Sequence, residues 1–293
     1  MKISIIIPTF NGGAFLEGAV LSVLSQSAAD VELIIIDGGS TDYTPDILEK
    51  YRSQATHVVS EKDNGQSDAI NKGLKLSSGD IVNWLCCDDR ICEGALDIVA
   101  REFKEDPGLD LMSGKAKIKN TETGQTSFWV PTEERIRQMP CVNPFPQPST
   151  YLRKRVLLER GYYVKPDHHY SMDFELWNYL VLGRKVRYKI SGEVLSEAII
   201  TSGNKTSVGG DKAIDELDRI YRQYRKGEWI ALSSMYKRTR MKLDSRLAND
   251  ESLSKAQRIL WSLYSTLLNR FYGSGKVHLI SNEWRYFYKQ FSS

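Results

Sequence analysis

The run Ile3-Ser4-Ile5-Ile6-Ile7-Pro8-Thr9-Phe10-Asn11 decides the fold. Its β-branched stretch has almost no polar face, so both faces must be covered, as in a central strand of a parallel sheet. Pro8 ends the run, and the polar Thr9 and Asn11 follow at its carboxyl end. Outward from there the pattern repeats. Phe15, Ala19, Val20, Val23 and Leu24 have helical spacing, and Val31 to Ile36 is a second apolar strand. Thr41 to Tyr51 reads as a helix with Pro45 in its first turns. His57 to Val59 is a short strand, Ser67 to Leu76 a helix, Ile81 to Leu85 a strand and Glu93 to Phe103 a helix. Apolar strands alternating with amphipathic helices predict an α/β fold with a parallel sheet covered on both faces. In such sheets ligands bind outside the carboxyl ends of the strands. Thr9, Asn11, Asp37, Asp88 and Asp89 all fall at that edge.

The pattern changes near Leu109. Strands are predicted over 109–119 and 125–130, around a Glu122-Thr123-Gly124 turn. Pro140, Pro144, Pro146 and Pro148 mark an irregular connection. Ser171 to Leu182 reads as a helix, Val186 to Ile200 as strand and 202–210 as a small-residue loop, with helices over 211–225 and 255–271. No internal repeat is visible.

The chain has 293 residues, 41% of them apolar and 26% charged, which excludes collagen-like, low-complexity and mostly disordered classes. No apolar run reaches the roughly 18 residues that span a bilayer. The first residues are too short in their apolar part for a signal peptide. Four cysteines, two of them adjacent, do not suggest a disulfide framework, and a reducing cytosol is expected. Net charge is only +3, but residues 211–293 hold 16 Lys and Arg against 9 Asp and Glu, and the remainder is acidic. That asymmetry suggests two jobs.

Two adjacent carboxylates after a buried strand, Asp88 and Asp89, are costly unless solvated, paired or bound to a cation. A hard divalent ion shared with a diphosphate would neutralise them, and a solvated helix start would also accommodate them. In Asp37-Gly38-Gly39-Ser40-Thr41-Asp42 the glycines admit close backbone approach, and Asp37 could accept from a base or ribose; the segment also reads as a turn with Ser40 or Thr41 as helix cap. Glu61 to Gly73 is a polar loop entering a helix that Ser67 could cap, with Asp68, Asn71 and Lys72 on its polar face.

Taken in order, Ile-Ile-Pro-Thr-Phe-Asn at 6–11, Asp-Gly-Gly-Ser-Thr-Asp at 37–42, Gly-Gln-Ser-Asp-Ala-Ile-Asn-Lys-Gly at 65–73, Ser-Gly-Asp at 78–80 and Trp-Leu-Cys-Cys-Asp-Asp at 84–89 resemble the family 2 glycosyltransferases of the GT-A fold. The resemblance covers the chain closely through residue 100 and more loosely to about residue 205; the last 85 or so residues lie outside it. It implies a Rossmann-like nucleotide-sugar-binding domain with a mostly parallel mixed sheet over 1–210, divided into a donor half (1–108) and an acceptor half (109–210), followed by a basic helical extension over 211–293. It implies a nucleotide-diphosphate-sugar donor, most often a UDP-sugar, with GDP and dTDP as alternatives. Thr9, Asn11 and Asp37 would line the base and ribose pocket, with Asp68 close to the base. Asp88 and Asp89 match the family's DXD-type motif for Mn2+ or Mg2+, Asp89 making the direct metal contact.

The family often has Asn-Ser or similar before the acidic pair, where this chain has Cys86-Cys87. Thiols are soft ligands that would favour zinc if they faced the metal, but with Cys92 they show no zinc spacing, and packing cysteines are expected. Ser171-Met172-Asp173-Phe174-Glu175-Leu176-Trp177 resembles the family's acidic helix start, with Asp173 as general base. Glu175 lies about 200° around the helix from it and reads as an orienting or salt-bridge residue. Phe145-Pro146-Gln147-Pro148-Ser149-Thr150 resembles a segment preceding a strand at the acceptor cleft, so Gln147 and Ser149 are candidates for holding sugar hydroxyls; a rigid proline-rich loop is the other reading. His168 and His169 are expected at the solvent, with an acceptor role for His169. The family's late-strand His is absent near 200–206, and Lys205 would replace it as a point cation on the diphosphate.

These parts imply an inverting, metal-dependent transfer to a hydroxyl of a glycan or lipid-linked acceptor, in bacterial surface polysaccharide synthesis. Aromatics interleaved with cations at 221–226, 236–242 and 284–289 suit either an anionic membrane surface or the solvated face of a helical subdomain. No nucleic-acid-binding motif is present. The expected location is cytoplasmic, with peripheral contact at the inner membrane face. A dinucleotide oxidoreductase is disfavoured, because strand one lacks a Gly-x-Gly-x-x-Gly turn. A catalytically silent nucleotide-sugar-binding or scaffold protein of the same fold is the competing class.

Overall fold

The computed structural model describes residues 1–27, 30–140, 142–160, 164–201, 205 and 210–224. The expected alternation opens the chain: β1 (Ile3–Thr9), α1 (Gly13–Leu24), β2 (Val31–Asp37), α2 (Thr44–Tyr51), β3 (His57–Ser60), α3 (Gln66–Leu76) and β4 (Ile81–Trp84). Strands β3, β2, β1 and β4 lie side by side and parallel. Their side chains alternate between two cores. Ile3, Ile5, Ile7, Leu33 and Ile35 meet α1 and α2 on one face, while Ile6, Ile34, Ile36, Val82 and Trp84 meet α3 on the other. Because side-chain direction has period two, a one-residue slip would exchange the two sets. Both cores are apolar, so the ends of the strands, rather than a polar face, carry the chemistry.

The later half is mixed, as its weaker periodicity suggested. It comprises β5 (Asp89–Ile91), α4 (Ala95–Glu105), β6 (Leu111–Asn120), β7 (Thr126–Trp129), α5 (Glu133–Arg137), β8 (Thr150–Arg153), α6 (Lys154–Leu158), α7 (Met172–Asn178), β9 (Tyr188–Ile200) and α8 (Gly210–Tyr224). The sheet continues from β4 through β8, β6 and β9 to β5. Strand β9 runs parallel to β6 and antiparallel to β5, which carries the acidic pair's segment into the sheet. The fold is the expected α/β class.

Three elements differ from the sequence reading for identifiable reasons. Helix α2 starts at Thr44 rather than Thr41, because Ser40 and Thr41 are occupied by Asp37 and Asn11, and Asp42 accepts from the Thr44 N–H. Helix α3 has Gly65 at its N-cap, where a φ of 103° favours glycine, and Ser67 does not cap it but points at Met172 Sδ, 3.2 Å away. The helix predicted to Leu182 ends at Asn178 and widens into a π-turn over Tyr179–Arg184.

The boundary expected at residue 210 does not coincide with a break in packing. Ile220 and Tyr221 of α8 are buried with Phe174 of α7. Of the aromatics at 221–226, which suit either an anionic membrane surface or a solvated helical face, Tyr221 is 3% exposed and packed inward, and the Tyr224 hydroxyl donates to Glu175. The helix predicted over 255–271 and the clusters at 236–242 and 284–289 lie outside the described residues. Among those described, no helix is long and apolar enough to cross a membrane.

At the amino-terminal edge of the sheet, Glu32 is 2% exposed and holds three segments together. It accepts from the Ser4 hydroxyl at 2.5 Å and from the Ser78 N–H and hydroxyl at 2.8 Å each, with Lys2 at 3.8 Å. Burial pushes its carboxyl up, but the bonds from Ser4 and Ser78 outweigh this and hold it below the ordinary 4.5. A depressed folded value stabilises the native state fully above the unfolded pKa and loses that contribution as pH falls through the folded one. Glu32→Gln is expected to lower the unfolding free energy by about 1.5–3 kcal/mol near pH 7. The gap to wild type should close below pH 4.5, as followed by urea titration at a series of pH values; a gap that does not change with pH would contradict the assignment.

Candidate functional site

The carboxyl ends of β1, β2, β3 and β4 deliver Thr9, Asp37, Ser60 and the Leu85–Asp89 turn to one edge. Thr9 is 4% exposed, and its hydroxyl lies against the Cys87 thiol, both atoms closing on Gly12. Asn11, at a left-handed φ of 50°, locks the next loop: its N–H donates to Ser40 Oγ at 2.7 Å and its Oδ1 accepts from the Thr41 N–H at 2.8 Å. Asp37 stands where predicted, but its carboxylate is turned onto its own protein. It accepts from the Ser40 N–H and hydroxyl and, at 2.6 Å, from the Ser60 hydroxyl, and it is fully covered. In this geometry it shapes the wall of the pocket. Asp68 lies in the first turn of α3, accepting from the Asn64 N–H at 3.0 Å with Lys72 at 3.7 Å.

The turn after β4 concentrates negative charge. Asp89 is 7% exposed and opens β5 opposite Ala198. Burial first, and Asp88 second, push its carboxyl well above the usual value, against Arg90 and the Ile199 N–H. The Cys86 thiol and the carboxylate oxygens of Asp88 and Asp89 all lie within 4.8 Å of one another.

This corrects the expectation that the cysteines only pack. Cys87 and Cys92 do pack against the core, and burial pushes the Cys87 thiol up to about 12. Cys86 instead turns to the acidic pair, because it is fixed between two amides: Gln66 Nε2 donates to its sulfur at 3.2 Å, and the thiol faces Gln147 Oε1 at 3.9 Å. Two hard oxygen donors converging with one sulfur form a donor set that fits a divalent ion.

Arg90 holds the turn from behind, donating to the carbonyls of Cys87, Asp89 and Phe15 at 3.2, 2.7 and 3.0 Å. A Cβ at Gly18 would come within 2.4 Å of that guanidinium, so α1 must carry glycine there.

The later half closes on the same turn. Lys205 Nζ donates to Gln66 Oε1 at 2.9 Å. Burial lowers its ammonium pKa, while Cys86, Glu216 and Asp173 attract the charge. Lys205 is thus tied through Gln66 to Cys86, and its charge helps to lower the Asp173 carboxyl. Asp173, in the first turn of α7, is half-buried and accepts from Asn143 Nδ2 at 3.4 Å. Burial raises its carboxyl above the ordinary 3.8, partly offset by the Phe174 N–H, Asn143 and Lys205. Glu175 is a salt-bridge residue, fully buried and bonded to Arg160 at 2.6 Å and Lys165 at 3.1 Å.

Of the acceptor candidates, Gln147 lies at the site, its amide donating to Asn83 Oδ1 while its carbonyl faces Cys86. Ser149 is corrected: it is fully buried in the sheet seam, donating to the Lys115 carbonyl at 2.8 Å and paired with Ser196 at 2.6 Å. His169 is exposed and borders Gly65, whereas His168, expected at the solvent, is 3% exposed, and burial lowers its pKa. Sequence reasoning missed Gln66, which joins Lys205 to Cys86, although the residue lies inside a quoted motif. It also missed Arg90 and Asn143, whose roles depend on distant partners.

Among known proteins, residues 4–161 match the model of glycosyl transferase family 2. The PGL/p-HBAD biosynthesis glycosyltransferase of Mycobacterium bovis (strain BCG / Pasteur 1173P2) is 35% identical over 122 residues, 40% of this chain and 48% of that one. The poly(ribitol-phosphate) beta-N-acetylglucosaminyltransferase TarP of Staphylococcus aureus (strain N315) is 38% identical over 123 residues, 40% of this chain and 37% of that one. The chain spans about half the length of the curated relatives it matches. Among solved structures, S. aureus TarS 1-349 in complex with UDP-GlcNAc superposes with a TM-score of 0.64 at 18% identity, covering 100% of this chain and 93% of that one. The mannosyltransferase PcManGT from Pyrobaculum calidifontis, in complex with GDP-Man and Mn2+, gives 0.62 at 15%, covering 96% and 86%. At these identities the likeness is one of fold, the GT-A type.

The bracing of the acidic turn predicts that Arg90→Met, which leaves three carbonyls without their donor, lowers the unfolding free energy by about 2–3 kcal/mol in urea titration. A value within error of wild type would show that the turn holds itself.

Proposed function

The chain belongs to glycosyl transferase family 2, and from that premise we propose that it transfers a sugar from a nucleotide-diphosphate sugar, a UDP-sugar in the first instance, to a hydroxyl of a glycan or lipid-linked acceptor, with inversion, in bacterial surface polysaccharide synthesis. The observation that supports this reading is the convergence of Cys86, Asp88 and Asp89 within 4.8 Å, with Lys205 tied to Cys86 through Gln66.

Glycosyl transfer has an oxocarbenium-like transition state, so negative charge on the departing diphosphate and the proton of the attacking hydroxyl must both be managed. Asp89, with Asp88 and Cys86 beside it, would hold Mn2+ or Mg2+, which supplies Lewis-acid stabilisation of the diphosphate. Lys205 adds a point cation at the same leaving group. Asn11 and Asp37 keep the 38–42 loop in the shape that receives base and ribose, Thr9 lines its floor, and Asp68 with Lys72 closes the α3 side. Asp173 takes the acceptor proton. Its raised pKa suits the task, because a more basic carboxylate is the better proton acceptor as long as it remains ionised. Attack from the Asp173 side, opposite the diphosphate, inverts the anomeric centre. Gln147 and His169 would meet the acceptor. Contact of residues 225–293 with an anionic membrane at its cytoplasmic face belongs to the same proposal, since a lipid-linked acceptor is presented there.

Asp173→Asn is expected to lower turnover by about 10²–10⁴-fold with donor affinity unchanged; undiminished turnover would remove Asp173 from the chemistry. In wild type, turnover should fall as pH drops through the raised Asp173 value, placing the acid limb above the position an ordinary aspartate would give.

A thermal-shift panel of UDP-GlcNAc, UDP-glucose, GDP-mannose and dTDP-glucose, with and without Mn2+, tests the donor assignment. A UDP-sugar should raise the melting temperature most, and more with Mn2+ than without. No shift with any of the four, or equal shifts in both conditions, would contradict the donor or the metal assignment respectively.

A further inference from the structure

Helix α8 lies beyond the stretch that matches the family, yet it grips the helix that carries Asp173. Glu216 is 5% exposed, and its carboxylate gathers the backbone immediately ahead of α7. Its Oε1 accepts from the His169 N–H at 2.7 Å. Its Oε2 accepts from the Tyr170 N–H at 2.7 Å and from the Ser171 N–H and hydroxyl at 3.0 Å each. Four donors from three successive residues thus converge on one carboxyl group. Ser171 in turn gives its carbonyl to the Glu175 N–H at 2.9 Å, starting α7, and Asp173 stands two residues further on.

The rest of α8 continues the grip. Glu216, Ile220 and Tyr224 are four residues apart, so they form one stripe along the helix. Ile220 is buried with Tyr221 against Phe174, and the Tyr224 hydroxyl donates to Glu175 at 3.3 Å. Glu175 is already fixed by Arg160 and Lys165. The start of α7 is therefore set by Glu216 and its back by Tyr224. An amphipathic helix that only docked would keep its carboxylates at the solvent, whereas this one buries a carboxylate on bare amides.

We propose that Glu216 is a positioning residue for the reaction, holding the 169–171 backbone so that Asp173 meets the acceptor hydroxyl in line, and that α8 is accordingly part of the acceptor-side machinery. This rests on the reading of Asp173 as the base. A misplacement of about 1 Å at a reacting group costs on the order of 10²-fold in rate, which is how a residue that does not touch substrate controls turnover.

The test is Glu216→Gln, which keeps size and shape but sets an NH2 against N–H donors. Two quantities are read in the full chain. Hydrogen–deuterium exchange at the 169–171 amides should quicken at least ten-fold, with β1 and β2 unchanged. Sugar-nucleotide hydrolysis into water, using the donor chosen by the thermal-shift panel and expressed per donor-binding site counted by calorimetry, should fall at least ten-fold with donor Kd within two-fold.

Counting per site removes loss through unfolded protein. Gln223→Ala, which cuts the exposed tie of the same helix to Lys165, should leave turnover per site within two-fold. Unchanged exchange or unchanged turnover in Glu216→Gln, or an equal fall in Gln223→Ala, overturns the proposal. Should Glu216→Gln not yield folded protein, Ser171→Ala removes one of the four bonds, and no change in either quantity there overturns it equally. Asp173→Asn separates the two claims: full turnover in that variant defeats the base assignment itself, whereas a dead Asp173→Asn beside a fully active Glu216→Gln defeats only the role of Glu216.

Discussion

Two carboxylates side by side at the margin of a sheet, one of them almost wholly buried, are the constraint around which the rest of this molecule is arranged. Burial and mutual repulsion both disfavour ionisation of Asp89. The protein nevertheless builds the pair into the strand that β9 completes, braces it with Arg90 and leaves α1 a glycine to make room for that brace. The cysteine turned toward the pair completes a set of three converging donors.

The opposite charge arrives from the far half of the chain. Lys205 reaches the turn through Gln66, and its field extends to Asp173. In the proposed reaction leaving-group charge and acceptor proton would be handled together there, beside a wall fixed by loop contacts among Asn11, Ser40, Asp37 and Ser60. Helix α8 holds the start of α7 from behind, so that contact reaches past the family-matching stretch and spans the division expected at residue 210.

Much of this was legible in the sequence where the determinants are local. Runs such as Ile3–Ile7 and Leu33–Ile36 have no polar face, and that alone gives central strands, covering helices and the edge at which ligands bind. The acidic pair follows β4 at that edge, as its position after an apolar run implied. What was not legible depends on partners remote in the chain. Asp89-Arg90-Ile91 becomes a strand only because β9 lies beside it. Cys86 faces the acids because Gln66 and Gln147 hold it, and the same residue type one position on packs inward. Ser149 and Asp37 looked like ligands for a substrate but spend their hydrogen bonds within the fold. Glu216 lay unseen in an ordinary amphipathic pattern, since only the fold brings three bare amides to it.

The most direct measurement of the central claim is the uptake of Mn2+ in the presence of UDP, followed by the paramagnetic resonance of the free ion. The account predicts that wild-type protein removes one equivalent per chain from solution, and that Asp89→Ala leaves the ion free. Equal uptake by the two proteins, or none by wild type, would contradict it.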